Sequence, residues 1–133
     1  MKYCVGMKST ICRKVVEKDV LAFAELTGDK NPVHVNKDAA LASIFHGQVA
    51  HGMYTASLIS TVIGMQMPGE GTIYLSQNCR FKKPVYFGDV LNVVVEIMSI
   101  DEKNRATLLT QVYNQNNDLV LDGTALVLLP RED

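Results

Sequence analysis

Residues 49–67 limit the possible folds of this chain more than any other feature, being its most apolar stretch and its longest helical candidate. Drawn as a helix, the segment is apolar on almost every side, which predicts burial over most of its surface. It does not read as a membrane span. His51, Gly52, Thr55, Ser57, Ser60, Thr61 and Gln66 interrupt it, and a span needs about 20 predominantly apolar residues. A core helix about 28 Å long, at 1.5 Å per residue, has to be wrapped by other elements, and the chain beyond it is rich in β-formers. Pro68-Gly69-Glu70-Gly71 ends the helix.

Residues 72–83 read as a strand broken by Pro84, residues 89–100 as a second carrying Val93-Val94-Val95, and residues 106–114 and 119–129 as a hairpin turning over 115–118. Upstream, residues 9–16 show even spacing of Ile11 and Val15. Residues 17–26 switch to helical spacing, with Val20, Leu21, Phe23, Ala24 and Leu26 in one stripe. Gly28 and Pro32 stop that helix. Residues 38–43 form a short Ala-rich helix, and 45–48 a loop. Helices first and strands second predict an α+β fold rather than alternating βαβ units. With no linker, repeat or low-complexity tract, the 133 residues form one domain, 1–133. A curved antiparallel sheet around a long helix also leaves strand edges for a partner subunit to cover.

Charge narrows the partners. Thirteen basic and 14 acidic residues leave a net charge of −1, so no polybasic field exists for nucleic acid or an anionic membrane. Cys4, Cys12 and Cys79 are odd in number and lack CxxC spacing, which argues against a disulfide framework and a cysteine zinc site. Reduced thiols and the lack of an apolar signal stretch in residues 1–10 indicate a cytoplasmic protein. His34, His46 and His51 are scattered without ligand spacing, so no metal is expected.

Two polar clusters stand out. Gly28-Asp29-Lys30-Asn31-Pro32-Val33-His34 places a carboxylate and an imidazole five residues apart after a helix. Its Gly, Asp, Asn and Pro are equally those of a surface turn. His51-Gly52-Met53 opens the long helix, where free N–H groups and the positive end of the dipole favour a developing negative charge. An ordinary helix start, poorly capped by His51, is the plainer alternative. Arg80, Lys82 and Lys83 form a small basic group suited to phosphates or simply to solvent, and Met53, Met65 and Met67 suit core filling or a tunnel wall.

These strings resemble a known family. The run from Phe23 to His34, containing Thr27-Gly28-Asp29-Lys30-Asn31-Pro32-Val33-His34, is similar to the hydratase-2 motif of the MaoC-like, (R)-specific enoyl-CoA hydratases. Ala50-His51-Gly52-Met53, Ala56-Ser57-Leu58 and Phe81-x-x-Pro84-Val85-x-x-Gly88-Asp89 come after it in the family's order. The likeness covers roughly residues 16–130. It departs in opening on Phe23, where the family often has Tyr, and in having Val35-Asn36 after His34. The length is similar to that of the short single-domain members that supply hydroxyacyl-CoA for polyester (polyhydroxyalkanoate) synthesis.

The resemblance implies a hot-dog fold and a homodimer whose sheets join edge to edge. It implies (R)-specific, reversible hydration of trans-2-enoyl-CoA, with CoA part of the substrate and no other cofactor. It assigns the catalytic water to Asp29 and His34, the thioester oxygen to the N–H of Gly52, and a supporting role to Ser60; Asn31, within the same polar cluster, is a further substrate-binding candidate.

The chemistry is consistent with those residues. Asp29 can take a proton from water if burial lifts its pKa above the usual carboxylate value of about 3.9. His34 can orient that water and pass a proton. Ser60, Ile63 and Gly64 are expected on one helical face, continued backwards by Met53, Tyr54 and Ser57, with Ile63 as a tunnel floor favouring chains of about four to six carbons. Otherwise Ile63 only packs against the sheet. Rival readings are a dehydratase of acyl-carrier-protein substrates, a hot-dog thioesterase, and a non-catalytic acyl-CoA binding module.

Overall fold

In the computed structural model, which describes residues 2–131, strand β1 (Lys8–Lys14) leads into helix α1 (Glu17–Thr27). Two short helices, α2 (Pro32–Val35) and α3 (Lys37–Ala42), precede the long helix α4 (Gly52–Met65). Strands β2 (Ile73–Phe81), β3 (Val90–Ile100), β4 (Arg105–Tyr113) and β5 (Leu119–Leu128) complete the chain. All strands belong to one antiparallel sheet, in the order β1-β3-β4-β5-β2. The sheet wraps α4, which packs against β3, β1 and β4. This is the α+β hot-dog arrangement expected from the sequence.

The period of two in the strands explains the wrapping. Ala106, Leu108, Thr110 and Val112 on β4 are fully buried, with partly exposed residues between them. Leu91, Val93, Val95 and Ile97 on β3 do the same. Successive side chains on a strand point to opposite faces, so each strand gives one row to the core. That row meets Ile59, Val62 and Ile63 of α4. Among the described residues no helix is long and apolar enough to cross a membrane.

Three details differ from the sequence reading. First, α4 is shorter than residues 49–67 at both ends, because Val49 forms an isolated bridge with Tyr86, and Ala50 N–H donates to the Val85 carbonyl at 2.8 Å. Second, its burial is one-sided. Tyr54, Thr55, Ala56, Leu58, Ile59, Val62 and Ile63 are buried. Met53, Ser57, Ser60, Gly64 and Met65 are exposed, the two methionines at 64% and 79%. Apolar composition all round predicts burial all round only if something in the same chain covers the far side. Third, Pro32–Val35 is a helical turn, started by the Asn31 side chain accepting from Val33 N–H, where the sequence read only a loop.

β2 lies at an edge and is exposed along most of its length. It joins β5 through a close approach that requires glycine: a Cβ on Gly123 would lie 1.9 Å from the Asn78 carbonyl oxygen. Because the obstacle is backbone, Gly123→Ala must push β2 away from β5. A loss of about 1–3 kcal/mol is expected, as for overpacked cores. Urea unfolding checks this, and an unchanged midpoint would contradict the packing described.

Candidate active site

The loop after α1 is stitched by a repeated device, a side-chain oxygen accepting from the backbone N–H two residues on. Thr27 Oγ1 accepts from Asp29 N–H at 3.2 Å, Asp29 Oδ1 from Asn31 N–H at 3.3 Å, and Asn31 Oδ1 from Val33 N–H at 3.4 Å. Gly28, at φ 83°, supplies the left-handed residue that closes α1, its N–H donating to the Ala24 carbonyl. The turn composition and the functional motif are therefore the same residues. The turn chemistry sets the path on which Asp29 and His34 stand.

A second segment, residues 48–52, is laid beside this loop. Val49 N–H donates to the Val33 carbonyl at 3.2 Å, and Gln48 Nε2 to the His34 carbonyl at 2.9 Å. Two imidazoles lock the segments together reciprocally. His34 Nδ1 lies 2.6 Å from the Val49 carbonyl oxygen, and His51 Nε2 lies 2.8 Å from that of Asp29. A carbonyl only accepts, so both nitrogens carry protons. Neutral His34 then keeps Nε2 as a free acceptor.

Ring nitrogens of His34 and His51 and a carboxylate oxygen of Asp29 lie within 4.8 Å of one another. This corrects the reading of the histidines as scattered: His34 and His51 converge, and only His46 stays apart, exposed in its loop at φ 56°. The three donors are of types found at metal sites, but the arrangement does not suit one. The two rings stack at 3.8 Å with 24° between their planes. Lone pairs lie in the ring planes, so on stacked rings they run side by side rather than converging on an ion at about 2.0–2.1 Å.

The cluster opens on a cavity of about 620 Å³, whose other walls include Val33, Phe45, Val49, Val85 and Val120. Gly52 and Met53 of α4 also line it. The first N–H groups of a helix have no partner within it, and His51 does not cap them with its side chain. The Phe81 ring lies against this helix start, and a Cβ on Gly52 would come 2.9 Å from it. Exposed Lys82 and Lys83 border the cavity, with Lys83 3.4 Å from Asp118. Arg80, grouped with them in the sequence, is not part of the lining.

Of the residues singled out in the sequence, Asp29, His34 and Gly52 share this cavity. Asn31 is beside it as the exposed cap of α2. Ser60 and Ile63 are not in its lining. They do not share one environment either, because the burial boundary of α4 passes between them: Ser60 and Gly64 are exposed, whereas Ile63 is 2% exposed in the core cluster. Likewise Met53 and Ser57 are exposed and Tyr54 is buried.

Asp29 itself is exposed, so this chain's own fold leaves its carboxylate in contact with solvent. Tyr54 of α4 does not line the cavity. Burial first, then the Asp19 carboxylate, push its phenol above its ordinary value against an opposing pull from Arg13. Sequence reasoning missed His51 as part of the cluster and Phe81 as a wall. The glycine at position 52 was the available signal that something approaches the helix start closely.

The family profile described as MaoC like domain matches residues 6–118. A 3-hydroxybutyryl-CoA dehydratase of Methylorubrum extorquens is 39% identical over 129 residues, 97% of this chain and 82% of that protein. An (R)-specific enoyl-CoA hydratase of Aeromonas caviae is 39% identical over 127 residues, 95% of each chain. The unliganded structure of an R-hydratase of Pseudomonas aeruginosa superposes with a TM-score of 0.94 at 41% identity, over 98% of this chain and 84% of that one.

Gly52→Ala should displace the Phe81 ring rather than unfold the protein, because the obstacle is the end of a half-exposed side chain. Stability is expected to stay level or rise by up to about 1 kcal/mol, the usual helix preference for Ala over Gly. Aromatic NMR shifts of Phe81 and a denaturation curve check both halves. An unmoved ring would show that the contact is not close.

Proposed function

Because this chain belongs to the MaoC-like family, we propose that it is a hydro-lyase that adds water to trans-2-enoyl-CoA to give (R)-3-hydroxyacyl-CoA, reversibly and by syn addition. The observation that carries this reading is the convergence of Asp29 and His34 beside an uncapped helix start, in a cavity whose remaining walls are largely apolar.

Each group has a definite task. The free Nε2 of His34 accepts a hydrogen bond from the reacting water, since Nδ1 is engaged by the Val49 carbonyl. Asp29 has one carboxylate oxygen turned to the Asn31 N–H and uses the other to take a proton from the water. The water oxygen bonds to Cβ as the Cα=Cβ π bond breaks. The proton is returned to Cα from the same side, by the Asp29/His34 pair. Negative charge gathers on the thioester oxygen, where the Gly52 N–H at the positive end of α4 stabilises it. A single donor of this kind is worth on the order of 10²–10³ in rate. Asn31 acts by setting the turn. Lys82 and Lys83, exposed at the cavity edge, favour CoA, whose nucleotide phosphates they complement in charge.

The enzyme works as a two-fold dimer joined along β2. Three observations support this. β2 is a nine-residue edge strand. Ile73, Leu75 and Phe81 on it are 54%, 47% and 51% exposed. The outer face of α4 presents Met53, Ser57, Ser60, Gly64 and Met65 to solvent. A second subunit on these surfaces also supplies the desolvation that Asp29 lacks, and gives Ser60 a place near the site. The three free thiols suit a reducing, cytoplasmic compartment, and the (R)-product suits polyester precursor supply.

Three measurements test the reading. Crotonyl-CoA should lose its enoyl absorbance on addition of the enzyme, with an (R)-product carrying syn-added deuterium in D₂O. Asp29→Asn and His34→Ala should each lower kcat by at least about 10²-fold, the lower range for general acid–base groups, in folded protein. An (S)-product, or near-normal turnover of either variant, would remove the mechanism. Sedimentation at micromolar concentration should show a dimer, and a fully active monomer would refute the shared interface.

A further inference from the structure

His51 makes more contacts to the reacting pair than any role at a helix start requires. It is 3% exposed. Its Nε2–H donates to the Asp29 carbonyl at 2.8 Å. Its ring stacks on His34 at 3.8 Å and lies 5.0 Å from the Phe23 ring. It also immediately precedes Gly52, whose N–H opens α4. One buried ring therefore touches the backbone of the base, the ring of its partner and the peptide that leads to the oxyanion donor.

We infer that His51 is a positioning residue for the hydration, fixing Asp29, the ring plane of His34 and the start of α4 in one rigid unit, and that it does so as the Nε2–H tautomer. The second half comes from its partners. The Asp29 carbonyl accepts only, so Nε2 carries a proton. Nδ1 is buried without a hydrogen-bond partner, and a proton there would make a charged donor with nothing to receive it, which is costly for a buried group. The neighbouring His34 is the opposite tautomer, protonated on Nδ1 by its bond to the Val49 carbonyl. Two stacked imidazoles thus divide the work: His34 exposes a free nitrogen to the cavity, while His51 donates inward and holds still.

This rests on the hydratase reading for its effect on rate, but the tautomers do not. Long-range ¹H–¹⁵N correlation of the histidine side chains in the wild-type protein near pH 7.5 should show Nδ1–H for His34 and Nε2–H for His51. A His51 protonated on Nδ1 overturns the inference whatever the activity. The kinetic test separates the two contacts. His51→Gln keeps a donor at similar reach, and His51→Phe keeps a ring against His34 without the donor. In folded protein, His51→Phe should lower kcat about 10²-fold, the scale of a misplacement near 1 Å, with KM within about threefold. His51→Gln should recover to within about tenfold of wild type. A merely structural residue would instead lower thermal stability and leave kcat per folded site unchanged, and that result overturns the assignment, as does a glutamine variant no better than phenylalanine. If His51→Phe fails to fold, His51→Gln with kcat more than about tenfold below wild type overturns the inference on its own. Turnover of crotonyl-CoA by the wild-type protein judges the hydratase reading separately.

Discussion

Two imidazole-to-carbonyl hydrogen bonds, crossing between the loop after α1 and the segment before α4, hold the site in place. His34 of the loop donates to Val49, and His51 of the segment donates to Asp29. A hydrogen bond to a neutral acceptor contributes about 0.5–1.5 kcal/mol, so this clasp is not a major source of stability. Its importance is geometric. Water addition of the proposed kind needs a base, a water-orienting ring and an oxyanion donor within a few ångströms, and the groups proposed for these tasks, Asp29, His34 and Gly52, stand on two separate stretches of the chain. The clasp makes the stretches move as one body.

The fold supplies the rigid support for that clasp. α4 is anchored by Ile59, Val62 and Ile63 against the buried rows of β3 and β4, so its first turn cannot shift without disturbing the core. Ala50 is tied to the Val85 carbonyl and Val49 bridges Tyr86. The Tyr86 hydroxyl in turn donates to the Phe45 carbonyl at 2.9 Å. The loop leading to the cavity wall is thereby attached to the stretch entering β3. Positioning groups on packed elements rather than on free loops is what keeps small geometric errors out of the reacting centre.

One side of this molecule remains open. The outer face of α4 and the edge strand β2 expose apolar surface, and Asp29 lies on the exposed side of the loop. These facts belong together. The uncovered surfaces are suited to a second copy of the chain, and in the proposed mechanism that copy would also take the Asp29 carboxylate out of bulk water.

Much of this was legible in the sequence because its signals are local. The alternation of Val93 and Val95, and of Leu108, Thr110 and Val112, sets strand faces through a period of two. Gly28 and Pro32 set the end of α1, and the apolar run after Val49 makes a core helix necessary. The string from Gly28 to His34 was legible as the family's motif and as a candidate acid/base pair, because side chains that stitch a turn act only over two or three residues. What sequence could not decide is whatever depends on elements far apart in the chain. The stacking of His51 on His34, the Phe81 ring against Gly52, and the boundary that leaves Ser60 exposed but buries Ile63 all arise from packing across the fold. A pattern of apolar residues states that a helix will be buried, but which side meets the sheet, and which is left for a partner, is decided only when the sheet closes around it.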